Sequence, residues 1–416
     1  MLVKYLAPAV VAIGAASAQT AAVPTATCTV SGGTTTVNSQ ADATGLANCR
    51  TVKGSVVVTK DVAGDFELSG PEIITGDLRI ENNPNINSVG SDTLQMIGGE
   101  FSLTQLTQLN SINMLKLTSV SKLTWQSIGN AADMGMTQLN KVDEITISDS
   151  HLRNIDAINV TSIKSMNLDN NQFITKYEPA IKSISGDLTI QANGLDMEVS
   201  FPNLIWAMNM AVADVSKISF PSLQVVNGSA RFDNNKFDSF SFPNLTQTKT
   251  GDISFVGNEN MKNLTFPKLT QIGGGLLIAN NTALTDNGDF PVLDTVVGAI
   301  KLRGNFTEVK FPKLQSVRGA FDLSSTNDVT NDCKTLAKMA PTTQGGNGEI
   351  EGTFDCQSNN KEANQDTSGK TGSGEGVTGG SGSDKTSGTK NSGAAGLSVN
   401  AGLFLAAAGV LAQLLL

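Results

Sequence analysis

The stretch FPKLQSVRGAFDLSS, Phe311 to Ser325, contains the pattern from which the fold is predicted. It opens with a Phe-Pro pair, continues with Leu314 and Val317 three residues apart, and ends with apolar residues that alternate after a glycine, at Phe321 and Leu323. Alternation with a period of two indicates a short strand with one buried face. The stretch therefore predicts one turn followed by one short strand.

The Phe-Pro-x-Leu element recurs along the second half of the chain. It occurs six times, at intervals of 19, 22, 24, 24 and 21 residues. The copies begin at Phe201, Phe220, Phe242, Phe266, Phe290 and Phe311. A repeat of this length is typical of a solenoid, in which each unit packs on its neighbours. We expect the phenylalanines to stack as a spine opposite the strands, while each proline stiffens a turn.

The second half of the unit, a glycine followed by the alternating strand, extends the repeat toward the N terminus. It begins at Gly54 and recurs at later glycines such as Gly76, Gly99 and Gly186. Where the glycine is missing, the apolar alternation continues in the pairs Leu123/Trp125, Ile145/Ile147, Met166/Leu168 and Met208/Met210. Together these positions define thirteen repeat units between about residue 54 and residue 323. The glycine would permit either a positive φ or a close approach of neighbouring coils.

Asparagine recurs three residues after the second apolar position of the strand. The seven copies are Asn83, Asn171, Asn193, Asn235, Asn258, Asn281 and Asn305. A buried asparagine at a turn can satisfy backbone groups of its own and adjacent coils, which an apolar side chain cannot do. We therefore predict a structural ladder and no catalytic role for these residues.

The strand positions between the two apolar residues should face solvent. One such residue is contributed by each of several coils: Arg79, Thr124, Thr146, Asn167, Thr189, Asn209, Arg231 and Ser254. Solenoids commonly bind partners along an extended surface. This strip is therefore a possible binding surface, and the alternative is that it is only a solvated sheet face.

Both chain ends carry targeting signals. Residues 1–18 form a secretory signal peptide, with Lys4, an apolar run and a small-residue cleavage site at Ala16-Ser17-Ala18. Residues 392–416 fit a GPI-attachment propeptide that ends in an apolar tail, with Asn391 as the favoured attachment residue and Gly393 as the alternative. A true membrane helix is the competing interpretation, although the 16 residues from Ala401 fall short of the roughly 20 that cross a bilayer.

The composition between these signals predicts three further segments. Residues 19–50 form an N-terminal cap, residues 51–357 the solenoid with a C-terminal cap, and residues 358–391 a stalk rich in serine, threonine and glycine. The stalk cannot bury enough apolar surface to fold. No cofactor is expected.

Four cysteines lie outside the repeat, Cys28 with Cys49 and Cys333 with Cys356. An even number in a secreted chain suggests disulfides, and the placement suggests caps at both ends of the core. Three connectivities are possible, of which local pairing within each end is favoured. Metal binding is disfavoured by the spacings and because His151 is the one histidine.

Six Asn-x-Ser/Thr sequons occur, a number that chance alone would produce in this composition. The candidates for glycosylation are Asn159, Asn227, Asn244 and Asn263. Asn280 and Asn305 are disfavoured because the first is next to a ladder position and the second occupies one.

The order Leu-x-x-Val-x-Gly-x-Phe-x-Leu, from Leu314 to Leu323, resembles the leucine-rich-repeat-related solenoid of receptor L domains. Together with its two ends, the chain resembles the fungal GPI-anchored cell-wall-organisation proteins named extracellular-mutant and sporulation-specific. The repeat covers about two thirds of the chain. The resemblance implies an all-β-dominated solenoid at the outer leaflet of the plasma membrane or in the cell wall, required for wall organisation and integrity.

Three functions are compared on this basis. The first is a non-enzymatic structural or interaction module, a monomer whose partners would be wall glucan or mannoprotein and, through the GPI lipid, the plasma membrane. The second is a β-helix glycan hydrolase or lyase, since Asp77 and Glu100 on consecutive strands could approach the separation of glycosidase carboxylates. The third is a polysaccharide-binding module, which the scarcity of aromatic residues disfavours. A net charge of -9 and a pI near 4.8, without a basic stripe, argue against nucleic acid.

Overall fold

The computed structural model of the protein describes residues 26–364. Over this range the chain winds into a parallel β-solenoid of about 14 turns. The predicted solenoid is confirmed, and the additional turn comes from a strand in the C-terminal cap that continues the sheet. The signal peptide, most of the stalk and the GPI signal lie outside the described residues.

The first part of the solenoid contains nine strands and one helix. These are β1 Ala26–Val37, α1 Gln40–Gly45, β2 Cys49–Val58, β3 Gly64–Glu67, β4 Ile73–Ile74, β5 Leu78–Glu81, β6 Ile86–Gly90, β7 Met96–Leu106, β8 Ser111–Asn113 and β9 Ser119–Ile128.

The central part contains eleven strands. These are β10 Glu144–Ser150, β11 Ser162–Ile163, β12 Ser165–Asp169, β13 Lys176–Tyr177, β14 Ser183–Gln191, β15 Glu198–Ser200, β16 Trp206–Ala213, β17 Lys217–Ser219, β18 Val225–Val226, β19 Ala230–Asp233 and β20 Ser239–Ser241.

The last part contains ten strands, the second α-helix and two 3-10 helices, Ala337–Met339 and Thr342–Gln344. The other elements are β21 Gln247–Thr248, β22 Ile253–Val256, β23 Asn263–Thr265, β24 Gln271–Ile272, β25 Leu276–Ala279, β26 Thr295–Val296, β27 Ile300–Gly304, β28 Ser316–Val317, β29 Phe321–Ser325, α2 Thr330–Leu336 and β30 Phe354–Gln357.

One long parallel sheet of 22 strands forms the main side of the solenoid. Its register aligns equivalent positions of successive coils, for example Leu276 with Ile300 and Ile300 with Phe321. The smaller sheets β3-β6-β8, β13-β15-β17 and β20-β23 lie elsewhere on the coil. Because the long sheet buries only one face against the core, each strand presents a row of side chains outward.

Glycine at the bend before the strand is required because adjacent coils approach closely there. A Cβ added to Gly298 would lie 2.6 Å from the backbone carbonyl carbon of Gly274, and one on Gly319 would lie 2.6 Å from that of Gly298. Real Cβ atoms do not occupy such positions, so a larger residue would push the coils apart. Of the two predicted reasons for glycine, close approach applies at these bends, whereas Gly54 in the first coil also has a φ of +131°.

The coils without this glycine contain one residue fewer at the bend. The inward-facing residues Val226 and Ala230 are four positions apart, whereas Ala207 and Met210 are three apart. The inward pair of this coil is Met210 and Val212. The prediction of Met208 and Met210 as the inward pair was wrong by two residues, because Met208, Met210 and Val212 alternate continuously and the alternation does not show where the bend ends.

The phenylalanines of the Phe-Pro pairs form the predicted spine in the core. Ring centroids of Phe201 and Phe220 lie 5.5 Å apart, and those of Phe266 and Phe290 lie 4.7 Å apart. The first five of the six rings are no more than 1% exposed, and Phe311 is 8% exposed. Aromatic rings at these separations attract one another beyond their hydrophobic burial.

The asparagine ladder is confirmed at the buried positions, and the contacts of Asn258 illustrate it. Its amide nitrogen donates to the carbonyl oxygen of Phe232 at 2.9 Å and to the side-chain oxygen of Asn281 at 3.0 Å. Its own side-chain oxygen accepts from the backbone N–H of Asn235 at 2.9 Å. Asn258 therefore joins three consecutive coils.

Asn305 is not part of this ladder, which corrects the prediction for the seventh position. It is half-buried, and its amide nitrogen donates to the carbonyl of Thr282, in a turn of the preceding coil, instead of to a strand carbonyl of that coil. The neighbouring Phe306 is 1% exposed and takes the inward position. Residues ahead of ladder positions, such as Asn280 with a φ of 56°, adopt the left-handed conformation, whereas Gly304 does not. The chain therefore turns differently in this coil.

Both ends of the core are capped by local disulfides. Cys28 pairs with Cys49 and Cys333 pairs with Cys356, with Cα separations of 5.5 and 5.7 Å. Strand β1 lies against β2 at the N-terminal end, and α2 with β30 covers the C-terminal end. Of the three possible connectivities, the structure has the favoured one.

The C-terminal cap continues past the predicted start of the stalk at residue 358. The hydroxyl of Ser358 accepts from the backbone N–H of Val329 at 2.9 Å, Ala363 is fully buried, and Asn364 donates to Asn305 at 2.7 Å. Residues 358–364 therefore belong to the cap. The sequence did not predict this, because these residues are polar and are held mainly by hydrogen bonds and not by apolar burial.

Candidate functional site

The outward face of the long sheet carries the predicted strip. The register aligns Arg79, Ser102, Thr124 and Thr146 in one central row, and the row continues through Asn167, Thr189, Ala211, Arg231 and Ser254. Seven of the eight predicted residues lie in this row. Because the inward pair of this coil is Met210 and Val212, Asn209 lies one row aside, opposite Asp187, and Ala211 occupies the central position. Ser254 is only 9% exposed, so it contributes little to the surface.

Charged residues concentrate at the N-terminal end of this face. Arg79 contacts Asp77 at 3.0 Å and Glu100 at 3.1 Å, and Lys122 contacts Glu100 at 3.0 Å. The hydroxyl of Thr124 donates to Glu100 at 2.6 Å. Burial acts to raise the pKa of Glu100, but the hydrogen bonds from Thr124 and Lys122 and the two positive charges outweigh it, so that pKa is lowered. Glu100 is thus an ionised centre of an ion-pair network.

This network does not resemble the carboxylate pair of a glycosidase. Such a pair needs one carboxyl group whose pKa is raised so that it can donate a proton. Here Arg79 bridges Asp77 and Glu100, and the pKa of Glu100 moves in the opposite direction. Burial does raise the pKa of Asp233, but Arg231 pairs with it at 2.7 Å and acts against the rise. The arrangement of Asp77, Arg79 and Glu100 therefore does not match the acid and carboxylate pair considered from the sequence.

The middle of the face is polar and largely uncharged. Its central row consists of Thr124, Thr146, Asn167 and Thr189, all partly exposed. The side-chain oxygen of Asn167 is buried and has no hydrogen-bond partner among residues 26–364. Hydroxyl and carboxamide groups in register at successive coils can donate and accept hydrogen bonds along a bound chain.

Trp206 is a surface residue that the sequence reasoning did not assign. It begins β16, pairs in register with Ser183 and Val225, and is partly exposed, whereas the following Ala207 is fully buried. The other tryptophan, Trp125, is fully buried, as its inward position predicted. The signal in the sequence was its position immediately before Ala207, which faces inward at the start of the strand.

The four candidate glycosylation residues differ in accessibility. Asn159 and Asn263 are exposed, whereas Asn227 and Asn244 are half-buried. The amide nitrogen of Asn244, to which a glycan would be attached, donates to the carbonyl of Pro221 at 2.7 Å. Asn159 and Asn263 are therefore the more accessible of the four candidate sites. Glycosylation stays a prediction at all four residues.

The residues predicted for membrane attachment, Asn391 and Gly393, lie outside the described part of the chain. Within residues 26–364, no helix is long and apolar enough to cross a membrane. The same residues contain no group of three or more potential ligands that could hold a metal ion.

Comparison with known proteins places this solenoid in a family. The sequence model of the Ecm33 family, described as a GPI-anchored cell wall organization protein, matches residues 1–47. The protein ecm33 of Aspergillus fumigatus is 32% identical over 356 residues, which is 85% of this chain and 85% of that protein. The chain belongs to the Ecm33 family. A cell surface GPI-anchored protein of Arthroderma benhamiae is 30% identical and covers 78% of this chain and 81% of its own length. Its Candida albicans counterpart, ECM33, is 31% identical and covers 79% and 78%. No solved structure matches the chain.

Membership of the Ecm33 family identifies a cell-surface protein of cell wall organisation. The names of the relatives describe GPI-anchored and wall proteins and mention no reaction. The sequence-based expectations of the family, the extracellular location and the general role are therefore confirmed. The attachment residue and the binding partner stay predictions.

Proposed function

We propose that this Ecm33-family protein organises the cell wall without catalysis, by binding a wall component along the outward face of its long sheet. The observation that carries the proposal is the central row of in-register polar residues at Thr124, Thr146, Asn167 and Thr189. The disulfide-capped stack presents this row in register from coil to coil. An extended wall polymer, either glucan or the glycan of a mannoprotein, would contact several coils at once.

The absence of catalysis belongs to the same proposal. The paired carboxylates nearest to glycosidase geometry, Asp77 and Glu100, are joined by Arg79, and Glu100 is held in its ionised form. A GPI lipid attached at Asn391 would place a monomeric solenoid at the outer leaflet, and transfer to the wall would link it to glucan. Release from intact cells by a phosphatidylinositol-specific phospholipase, followed by glucanase digestion of the remainder, distinguishes these two tethers.

The binding face is tested with paired lysine substitutions. Thr146→Lys combined with Thr189→Lys adds two long charged side chains to the central row. Ser219→Lys combined with Ser239→Lys adds the same charges to exposed positions on β17 and β20, outside the long sheet. Both double variants should reach the surface in normal amounts, which surface labelling measures.

We expect only the first double variant to make cells sensitive to a dye that disrupts wall assembly. Equal resistance of both variants, at equal surface levels, would show that the central row is a solvated sheet face and not the working surface. Equal sensitivity of both would show that added charge acts elsewhere, and it would also contradict the proposal.

A further inference from the structure

Trp206 is partly exposed and begins β16, the strand that contributes Ala211 to the central row. Its neighbours in register are Ser183 in the preceding coil and Val225 in the following coil. The preceding residue, Ile205, is 44% exposed. The indole N–H forms no hydrogen bond within residues 26–364. The result is an aromatic and apolar surface on an otherwise polar face.

Polar groups border this surface on the side of the central row. Asn209, three residues beyond Trp206 in the same strand, donates from its amide nitrogen to Asp187 at 2.9 Å and accepts from the backbone N–H of Ser229 at 3.0 Å. The side-chain oxygen of Asn227 is buried and has no partner among the described residues. The arrangement combines a flat ring with oriented carboxylate and carboxamide groups.

A backbone irregularity lies beside these groups. The register between β14 and β16 shifts between Ile184 and Asp187, because β16 has one residue fewer at the bend. Met208 and Asn209 lie at this bend and are both partly exposed. Irregularities of this kind in strand pairing occur next to functional sites, and the same shift is also found between β7 and β9.

We propose that Trp206 is a stacking platform for one sugar ring of a neutral wall polysaccharide, with Asp187 and Asn209 binding its hydroxyl groups. This inference rests on the proposed function, and it names the chemistry of the partner. A hexopyranose ring presents an axial C–H surface to an aromatic face and equatorial hydroxyls at its edge, which matches a ring bordered by hydrogen-bonding groups.

The charge of the site selects a neutral polymer. Asp187 is the one ionisable side chain among Trp206, its register neighbours and the polar groups described above, and the whole chain carries a net charge of -9. Lys182 is exposed, and its carbonyl oxygen accepts from the backbone N–H groups of Ile205 and Trp206. Its positive charge offsets that of Asp187, so the surroundings of the ring carry no net charge that would favour an ionic polymer. A neutral chain running along the solenoid would meet Trp206 and then the hydroxyl and carboxamide groups of neighbouring coils, which are spaced by about 4.8 Å.

Tryptophan fluorescence gives a direct test, because the chain contains only two tryptophans. In full-length protein carrying Trp125→Phe, Trp206 is the one remaining indole. Soluble oligosaccharides of β-glucan, chitin and mannan are titrated in turn. We expect at least one of them to shift the emission maximum of Trp206 and to protect it from acrylamide quenching. Comparing the three titrations identifies the class of sugar that binds.

The contribution of the ring is measured with variants in the otherwise unchanged protein, by calorimetry or by retention on the immobilised polysaccharide. Loss of an aromatic anchor from a binding site weakens affinity by about tenfold or more, so Trp206→Ala should do so, and Trp206→Phe should retain part of the affinity. Phe173→Ala is the matched control, since Phe173 is also a surface aromatic residue, 47% exposed, but stacks on His151 away from this row. It should bind as the unchanged protein does.

A second variant keeps the indole in place in case Trp206→Ala fails to fold. Ser183→Lys extends a charged chain beside the ring and should also weaken binding. The proposal is overturned if no neutral oligosaccharide changes the Trp206 signal, or if folded Trp206→Ala binds as tightly as Phe173→Ala. The lysine substitutions at Thr146 and Thr189 test the proposed function separately. If they cause a wall defect while no oligosaccharide changes the Trp206 fluorescence, the central row is still the working surface and only the role of Trp206 is refuted.

Discussion

Replacing Asn258 with leucine should destabilise the solenoid strongly, although leucine has a similar volume and is apolar. Asn258 is fully buried, and its side chain serves the carbonyl oxygen of Phe232 and the backbone N–H of Asn235. Leucine would leave both backbone groups buried without a partner. At about 1–3 kcal/mol for each unsatisfied buried group, the expected loss is about 2–6 kcal/mol in the free energy of unfolding.

The same substitution at Asn305 provides the control. Asn305 is half-buried, donates to the carbonyl of Thr282 and accepts from the hydroxyl of Thr326 and the amide nitrogen of Asn364. Because neither Asn305 nor these partners are fully buried, water can replace the bonds, and the expected loss is about 1–2 kcal/mol. Denaturation in urea, followed by circular dichroism, compares the two midpoints. Since repeat proteins can unfold in parts, hydrogen exchange of the Asn235 amide measures the local effect beside Asn258.

Two outcomes would refute the reasoning. A loss smaller than about 0.5 kcal/mol for Asn258→Leu is the size expected of an ordinary surface change and would mean that the ladder does not satisfy the backbone. Equal losses at Asn258 and Asn305 would mean that burial does not distinguish them. In either case the repeated asparagines would need another explanation.

Three further predictions concern the bends, the cap and the charged cluster. Gly298→Ala should destabilise the solenoid, because its Cβ would lie 2.6 Å from backbone atoms of the preceding coil, whereas Gly45→Ala in α1 meets open space and should be neutral or slightly stabilising; thermal unfolding compares them. Replacing Cys333 and Cys356 with serine removes a cross-link between residues 23 apart and should cost about 3 kcal/mol, and reduction of the unchanged C-terminal bridge should have the same effect on the unfolding midpoint. Because the pKa of Glu100 is lowered below its ordinary value of 4.5, its ionised form stabilises the fold at neutral pH, and this contribution is lost as pH falls through the folded-state pKa. Glu100→Gln should therefore show a flatter decline of stability with acid, and a decline identical to that of the unchanged protein would contradict the ion-pair interpretation.

The sequence predicts the solenoid well because each coil repeats the same physical requirements. Phenylalanine recurs at the positions where rings stack, as at Phe266 and Phe290, and glycine recurs at the bends where no Cβ fits, as at Gly298. The sequence also locates the cysteines of both caps. Repetition allows each coil to support the interpretation of the next, so single irregular residues do not obscure the pattern.

The errors arise where a coil departs from the common length or turn. The continuous alternation of Met208, Met210 and Val212 hid where the bend ends and so misplaced Asn209, and the different turn at Gly304 removed Asn305 from the ladder. Alternation alone cannot show either change, because a strand shifted by two positions has the same apolar pattern. Trp206 was missed for a related reason: its outward direction depends on pairing with Ser183, which only the register of the sheet establishes.

The regularity of the face also constrains what can bind it. A partner that contacts Thr124, Thr146, Asn167 and Thr189 meets nearly the same chemistry at each step along the stack. A partner without a repeat would satisfy one coil and leave the next unmatched, whereas a polymer of identical sugar units can satisfy all of them at little additional ordering cost per unit. A periodic face alone would let such a polymer slide from coil to coil. Trp206 interrupts the periodicity with one large ring, and this single irregular position is what would fix the register of the chain on the protein.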